Sequence, residues 1–247
     1  MKVLIMAAGR GTRISRHIHG KPKCCIEFEG ETIIHRTVRI LTEMKVGEIG
    51  IVTGYQTGEV QKAIGDYQVA HFYNPFFDVT NSIASMWFAR DFFSTAEDVM
   101  IMNGDLFIEK ALIDTIQHEK HLPLFLADSS RTKEADYRFT WEGDRLKRYG
   151  KGIPDDEASG EYVGIGKIDN RFILKFINRM DEMINAQQSG KWWEDVLYSF
   201  IGTGTDIFVK DINGIFWAEV DYVEDFQRVE RYLAAKAAKA AETAPAA

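Results

Sequence analysis

The stretch Val3-Leu4-Ile5-Met6-Ala7-Ala8-Gly9-Arg10-Gly11-Thr12-Arg13 lies next to the amino terminus. Its first half is a short, unbroken apolar run, the pattern of a strand covered on both faces. Its second half is a glycine loop set directly after that strand. Glycines there let backbone N–H groups approach a phosphate with no Cβ between them. The first strand-to-helix loop of an open α/β sheet is also where ligands gather. Two familiar phosphate loops are excluded: G-x-G-x-x-G would need a glycine where Ile14 stands, and G-x-x-x-x-G-K-[ST] does not occur. What remains is G-x-G-T-R followed by Pro22-Lys23. Arg13 offers a forked donor for terminal phosphate oxygens, and Lys23 a compact charge for the phosphorus under attack. A tight turn is the competing reading of the glycines taken alone.

Outward from this loop, apolar runs alternate with segments of helical period. Ile33, Ile34, Val38, Leu41 and Met44 form one stripe of a helix over 31–46. Strands are predicted over 3–6, 49–53, 69–73, 99–102 and 124–127, with helices over 56–66, 82–93 and 109–121 between them. After residue 128 the pattern changes. Runs 137–141 and 145–149 flank Glu142-Gly143-Asp144 as a hairpin, followed by a polar loop over 152–160 and a strand over 162–168. Helices over 170–188 and 191–201, a strand over 216–220 and a last helix from Glu224 complete the chain. The fold class expected is α/β: a Rossmann-like mixed, mainly parallel sheet flanked by helices, with a small β-hairpin lobe. One domain is expected over 1–233, its lobe at about 128–200, and the Ala-rich 234–247 is read as a frayed, solvated tail.

The composition narrows the function classes. Hydrophobic residues make up 45% and charged residues 27% of the 247, which excludes disorder throughout. A formal charge of -7 argues against nucleic acid as partner, although a local positive cluster can still hold a small anion. Cys24 and Cys25 are the only cysteines and are adjacent, so no disulfide framework or paired zinc signature exists, and a cytoplasmic setting is expected. No apolar run reaches membrane-spanning length, and Arg10, Arg13 and Arg16 follow the first run too closely for an export signal.

The glycine loop with Arg13 and Lys23 resembles the signature of the nucleotidyltransferase family of GT-A-like, nucleotide-diphospho-sugar transferase type. That family includes sugar-1-phosphate nucleotidylyltransferases and bacterial phosphocholine cytidylyltransferases. Within it the chain is most similar to the phosphocholine, phosphonate and phosphoglutamine cytidylyltransferases, on four further places. These are Gly54-Tyr55, Asn81-Ser82, Asn103-Gly104-Asp105, and Glu219-Val220-Asp221 running into Asp225-Phe226. The resemblance implies that Asp105 and Asp221 hold Mg²⁺ against the phosphates of CTP. A hard cation with one or two carboxylates and substrate oxygens makes chemical sense of them. Taken singly, Asp105 reads equally as a turn residue and Asp221 as a helix cap.

The implied reaction is attack of a phosphate or phosphonate oxygen on the α-phosphorus, with departure of pyrophosphate. The attacking oxyanion is already largely ionised, so no general base is required. His17, His19 and His35 are accordingly read as surface or packing residues. Arg13 and Lys23 are the expected catalytic residues. Ala7, Ala8, Gly9, Arg10, Gly11, Thr12, Gly54, Tyr55, Asn81, Ser82 and Gly104 are the expected nucleotide contacts. For the acceptor, Lys151 between two glycines is paired with Asp136, following similar relatives. Aromatics at Tyr137, Trp141, Trp192, Trp193 and Trp217, with Glu194 or Asp195, would suit an ammonium group, the competing reading being core packing. The expected activity is a Mg²⁺-dependent cytidylyltransferase for a small non-sugar phosphate or phosphonate, feeding surface polysaccharide or phospholipid-like decoration. A sugar-1-phosphate nucleotidylyltransferase and a non-catalytic nucleotide-binding subunit are the alternatives.

Overall fold

The computed structural model describes residues 1–11 and 20–243. Thr12, Arg13, Ile14, Arg16, His17 and His19 lie outside the described residues. The chain begins with β1 (Lys2–Ala7), the small hairpin β2 (Glu27–Phe28) and β3 (Glu31–Thr32), then α1 (Ile33–Glu43). Next come β4 (Ile49–Thr53), α2 (Thr57–Ile64), β5 (Ala70–Tyr73) and α3 (Ser82–Phe88). The middle of the chain supplies β6 (Val99–Asn103), β7 (Leu106–Ile108), α4 (Lys110–Gln117) and β8 (Leu124–Asp128). The hairpin β9 (Arg138–Glu142) and β10 (Arg145–Gly150) precedes β11 (Gly160–Ile168). Helices α5 (Ile173–Asn185) and α6 (Glu194–Tyr198), strands β12 (Phe208–Asp211) and β13 (Trp217–Glu219), and α7 (Val223–Thr243) follow.

Nine strands form the central sheet in the order β5-β4-β1-β6-β11-β8-β12-β10-β9. The pairs β5–β4, β4–β1, β1–β6 and β8–β12 are parallel, and only β11 and β10 run against the rest. Alternation along the strands divides the core in two. Val3 and Ile5, Met100 and Met102, Leu124 and Leu126 face one apolar cluster. Leu4, Val99, Ile101, Phe125 and Ala127 face the other. Because both faces are covered by helices, β1 and β4 read as unbroken apolar runs. A third cluster of Phe28, Ile33, Phe107, Val220, Val229 and Leu233 docks α7 on the body. Among the described residues no helix is long and apolar enough to cross a membrane.

Three expectations are corrected. The helix over 82–93 stops at Phe88 and continues as a 3₁₀ turn, Arg90–Phe92. The helix over 191–201 is confined to Glu194–Tyr198. The expected hairpin is present as β9–β10, at the edge of the main sheet, where it bonds to β12 and back to β11. Finally, the described part of the Ala-rich segment is a solvated helix, and 244–247 lie outside the described residues. It extends α7 to Thr243, as its high helix propensity favours, and Lys236 pairs with Glu109 at 2.8 Å.

Candidate active site

The chain runs from β1 through β4 to β5 on one side of the sheet and returns to β6 on the other side of β1. A crevice therefore opens at the carboxyl ends of β1 and β6, where the strand order reverses. Met6 and Asn103 are register partners there, and the Gly104 N–H donates to the Met6 carbonyl at 2.9 Å. The glycine loop leaves β1 beside the turn that carries Asp105. A cleft of about 420 Å³ lies over this junction.

One end of the cleft is charged. Ala7, Ala8, Gly9, Gly11, Gly104, Lys23, Asp105 and Asp221 line it. Gly11 has φ +64°, and a Cβ there would run into the Lys23 Cγ, so the loop backbone lies directly against the lysine stem. Lys23 Nζ reaches Asp105 Oδ2 at 3.4 Å and also donates to Asp221 Oδ1. Asp221 is therefore not simply a helix cap. Asp225 performs that duty, its Oδ2 accepting the N–H groups of Asp221 at 3.1 Å and Tyr222 at 2.9 Å.

These two carboxylates meet around one ammonium, so the pair already accommodates a cation. Among the described residues no cluster of three or more His, Cys, Asp or Glu could hold a metal unaided. A two-carboxylate set fits Mg²⁺, which commonly completes its shell with substrate phosphates and water.

The other end is aromatic and acidic. Tyr137, Trp192, Tyr162 and Tyr198 line it with Glu194, Asp136 and Lys151. Lys151 Nζ pairs with both oxygens of Asp136, at 2.9 and 2.7 Å. Tyr162 Oη donates to Glu194 Oε1 at 3.2 Å, and burial pushes the Glu194 carboxyl up to about 8. Glu219 is likewise pushed up to about 8, first by burial and then by the neighbouring Asp105 charge. Between them stands Asn103, whose Nδ2 donates to Glu219 Oε1 at 3.2 Å while its Oδ1 accepts from Trp193 Nε1 at 3.0 Å.

Asn81 and Ser82, at the start of α3, also line the cleft. Arg10, Gly54 and Tyr55 do not. Arg10 is exposed and pairs with Asp78 at 2.7 Å, its guanidinium 5.2 Å from the Tyr55 ring. Tyr55 Oη donates to the Gly20 carbonyl at 2.9 Å, and Phe77 stands against Gly54. Of the five aromatics singled out, Tyr137 and Trp192 face the cleft, whereas Trp193 and Trp217 are core. Trp217 Nε1 donates to Asp128 Oδ2, and Trp141 packs against the core cluster. Asp195 turns back to accept the Trp192 N–H at 2.8 Å. His35 packs beside Glu31, with Nδ1 2.9 Å from Oε1.

Sequence reasoning quoted Asn103 and Glu219 as parts of motifs without giving either a role, and it missed Tyr162 and Tyr198 as cleft residues. A period-two signal was present for Glu219: it stands two residues before Asp221 at the end of a strand, hence on the same side. Tyr162 lies on β11 beside a register shift between Tyr162 and Gly166, and nothing in the local sequence announces that it lines the cleft.

Comparison with known proteins places this geometry in context. The chain is 24% identical to the CTP:phosphoglutamine cytidylyltransferase of Campylobacter jejuni, over 92% of this chain and 98% of that one. It is 21% identical to the choline-phosphate cytidylyltransferase of Haemophilus influenzae, over 94% and 97% of the two chains. The solved CTP:phosphocholine cytidylyltransferase of Streptococcus pneumoniae superposes with a TM-score of 0.74 at 16% identity, covering 94% of this chain and 98% of that one. The MobA-like NTP transferase domain matches residues 3–129, just over half of the 247. With the matched segment carrying the first strand, the glycine loop and Asp105, the chain belongs to that family of nucleotidyltransferases.

Proposed function

We propose that this protein transfers a cytidylyl group from CTP to a small phosphate or phosphonate that carries an ammonium group. The observation that carries the reading is one continuous cleft. It joins the glycine loop and the Lys23–Asp105–Asp221 cluster at one end to Lys151, Glu194 and the Tyr137–Trp192 pair at the other. Relatives named as phosphoglutamine and choline-phosphate cytidylyltransferases support it.

In this reading the backbone N–H groups of Gly9 and Gly11 face the triphosphate, and the Lys23 ammonium offsets charge on the phosphorus under attack. An oxygen of the acceptor forms a bond to the α-phosphorus. The bond from that phosphorus to the bridging oxygen breaks, and pyrophosphate leaves with the electron pair. Lys151 meets the acceptor's phosphate or phosphonate, while the aromatic faces meet its cationic end, whose positive charge favours loss of the Glu194 proton and ionic contact with that carboxylate. Asp105 and Asp221 would hold Mg²⁺, which supplies neutralisation of phosphate charge when bound. Positioning and charge compensation carry the rate, since the acceptor oxyanion needs no base.

The test is pyrophosphate release from each of the four NTPs against phosphocholine, 2-aminoethylphosphonate, phosphoglutamine and glucose 1-phosphate. Turnover with CTP and an ammonium-bearing acceptor is expected. Turnover only with the sugar phosphate, or with no pair at all, rejects the reading.

A further inference from the structure

The position of Lys23 bears on how the cleft is loaded, given the reading of Asp105 and Asp221 above. Its ammonium contacts both carboxylates, and its side chain retains only 14% of its exposure. Glu219 adds a third acidic group beside them, held by Asn103. The backbone beneath Lys23 is anchored. Residues Lys23–Cys25 form a 3₁₀ turn, with the Cys25 N–H donating to the Pro22 carbonyl and the Ile26 N–H to the Lys23 carbonyl, each at 2.9 Å. Cys24 and Cys25 are 3% and 5% exposed, which pins the turn to the core. The part of Lys23 that can move is therefore the four-carbon stem, which lies along Gly11 with the open cleft beyond it.

We propose that Lys23 is an internal substitute for the divalent ion. Its ammonium occupies the Asp105–Asp221 pair until a metal takes those oxygens, and is thereby released toward the glycine loop. The physical basis is that an ammonium and a dication compete for the same oxygens and repel one another at such range. A group that fills a site part of the time weakens a competitor's apparent affinity by the fraction of time the site is open. Metal binding and liberation of the lysine thus become one event. A triphosphate, which attracts both cations, draws Lys23 off the carboxylates and lets the metal in. Nucleotide and metal would therefore reinforce one another through Lys23, beyond their direct contact.

The experiment measures Mn²⁺ binding without nucleotide, by electron paramagnetic resonance, on the wild type, Lys23→Met, Lys23→Gln and Asp105→Asn. Each protein is first checked for cooperative thermal unfolding. Met keeps the stem that packs on Gly11, and Gln serves if Met does not fold. Removing the ammonium should tighten Mn²⁺ about tenfold or more. Mn²⁺ should raise the Tm of the neutral variant more than that of the wild type. CTP should enhance Mn²⁺ binding strongly in the wild type and weakly in the variant. If Asp105→Asn abolishes Mn²⁺ binding while the neutral variants bind no tighter than wild type, or do not bind, this inference is overturned and the metal reading survives. If Asp105→Asn binds Mn²⁺ like wild type, the metal reading itself falls, and this inference with it.

Discussion

The Gly104 N–H donates to the Met6 carbonyl at 2.9 Å, fastening the turn that carries Asp105 to the strand that launches the glycine loop. A Cβ on Gly104 would stand 2.9 Å from that same carbonyl oxygen and 3.0 Å from the Ala7 Cβ. Gly104→Ala must therefore push the two turns apart. A stability loss of about 1–3 kcal/mol is expected from overpacking, with a larger proportional loss in turnover. Urea unfolding and pyrophosphate release on the same preparation check both.

Asp105→Asn keeps the side chain's shape and removes its charge. Turnover should fall about a hundredfold or more, as for loss of a major electrostatic contact to the transferring group. Thermal unfolding should stay within a few degrees of wild type. Retained turnover would remove Asp105 from the chemistry.

Lys151 and Asp136 form a half-exposed pair, with side-chain exposures of 47% and 56%. Such pairs contribute about 0–1 kcal/mol, so Lys151→Ala should leave stability nearly unchanged. Its effect should appear as a raised KM for the acceptor, with the KM for CTP unaltered. Equal rises in both would argue that Lys151 acts on the cleft as a whole.

Burial holds the Glu194 carboxyl at about 8 against an ordinary 4.5. Between those values the folded chain keeps a proton that the unfolded chain has released. This group's contribution to stability is complete below pH 4.5 and is lost as pH rises through about 8. Glu194→Gln cannot titrate, so its stability should decline less than wild type between pH 5 and pH 8, by up to a few kcal/mol. Parallel urea titrations at the two pH values measure the difference. Identical pH dependence would mean that Glu194 is ionised in the native cleft.

The legible part of the fold was its doubly covered parallel half. Val3–Ile5 and Ile49–Thr53 show their burial as unbroken apolar runs, and the stripe Ile33, Ile34, Val38, Leu41 turns inward on α1. β7 and β12 went unread because each is very short, and Phe208–Asp211 carries charged residues at an inner position of the sheet. The charged end of the cleft was legible in part: Gly11 and Lys23 stand out by residue type downstream of β1, whereas Asp105 was singled out through the family resemblance. The opposite end was not. Trp192 and Trp193 are neighbours in sequence, yet one is 41% exposed at the cleft and the other wholly buried. That division depends on how α6 seats against β8 and β11, which no local spacing encodes.

β11 bonds on one flank to β6, which leads to Asp105, and on the other to β8 and the tip of β9, which lead to the loop bearing Asp136. The Asp105 turn at one end of the cleft and the Asp136 loop at the other are thus both tied to β11. Through that shared strand the ladder hydrogen bonds set the spacing between the two, in the manner of a caliper. A molecule reaching from one end to the other is gauged by its own length, so adding or removing a methylene should be penalised even where every polar group is retained.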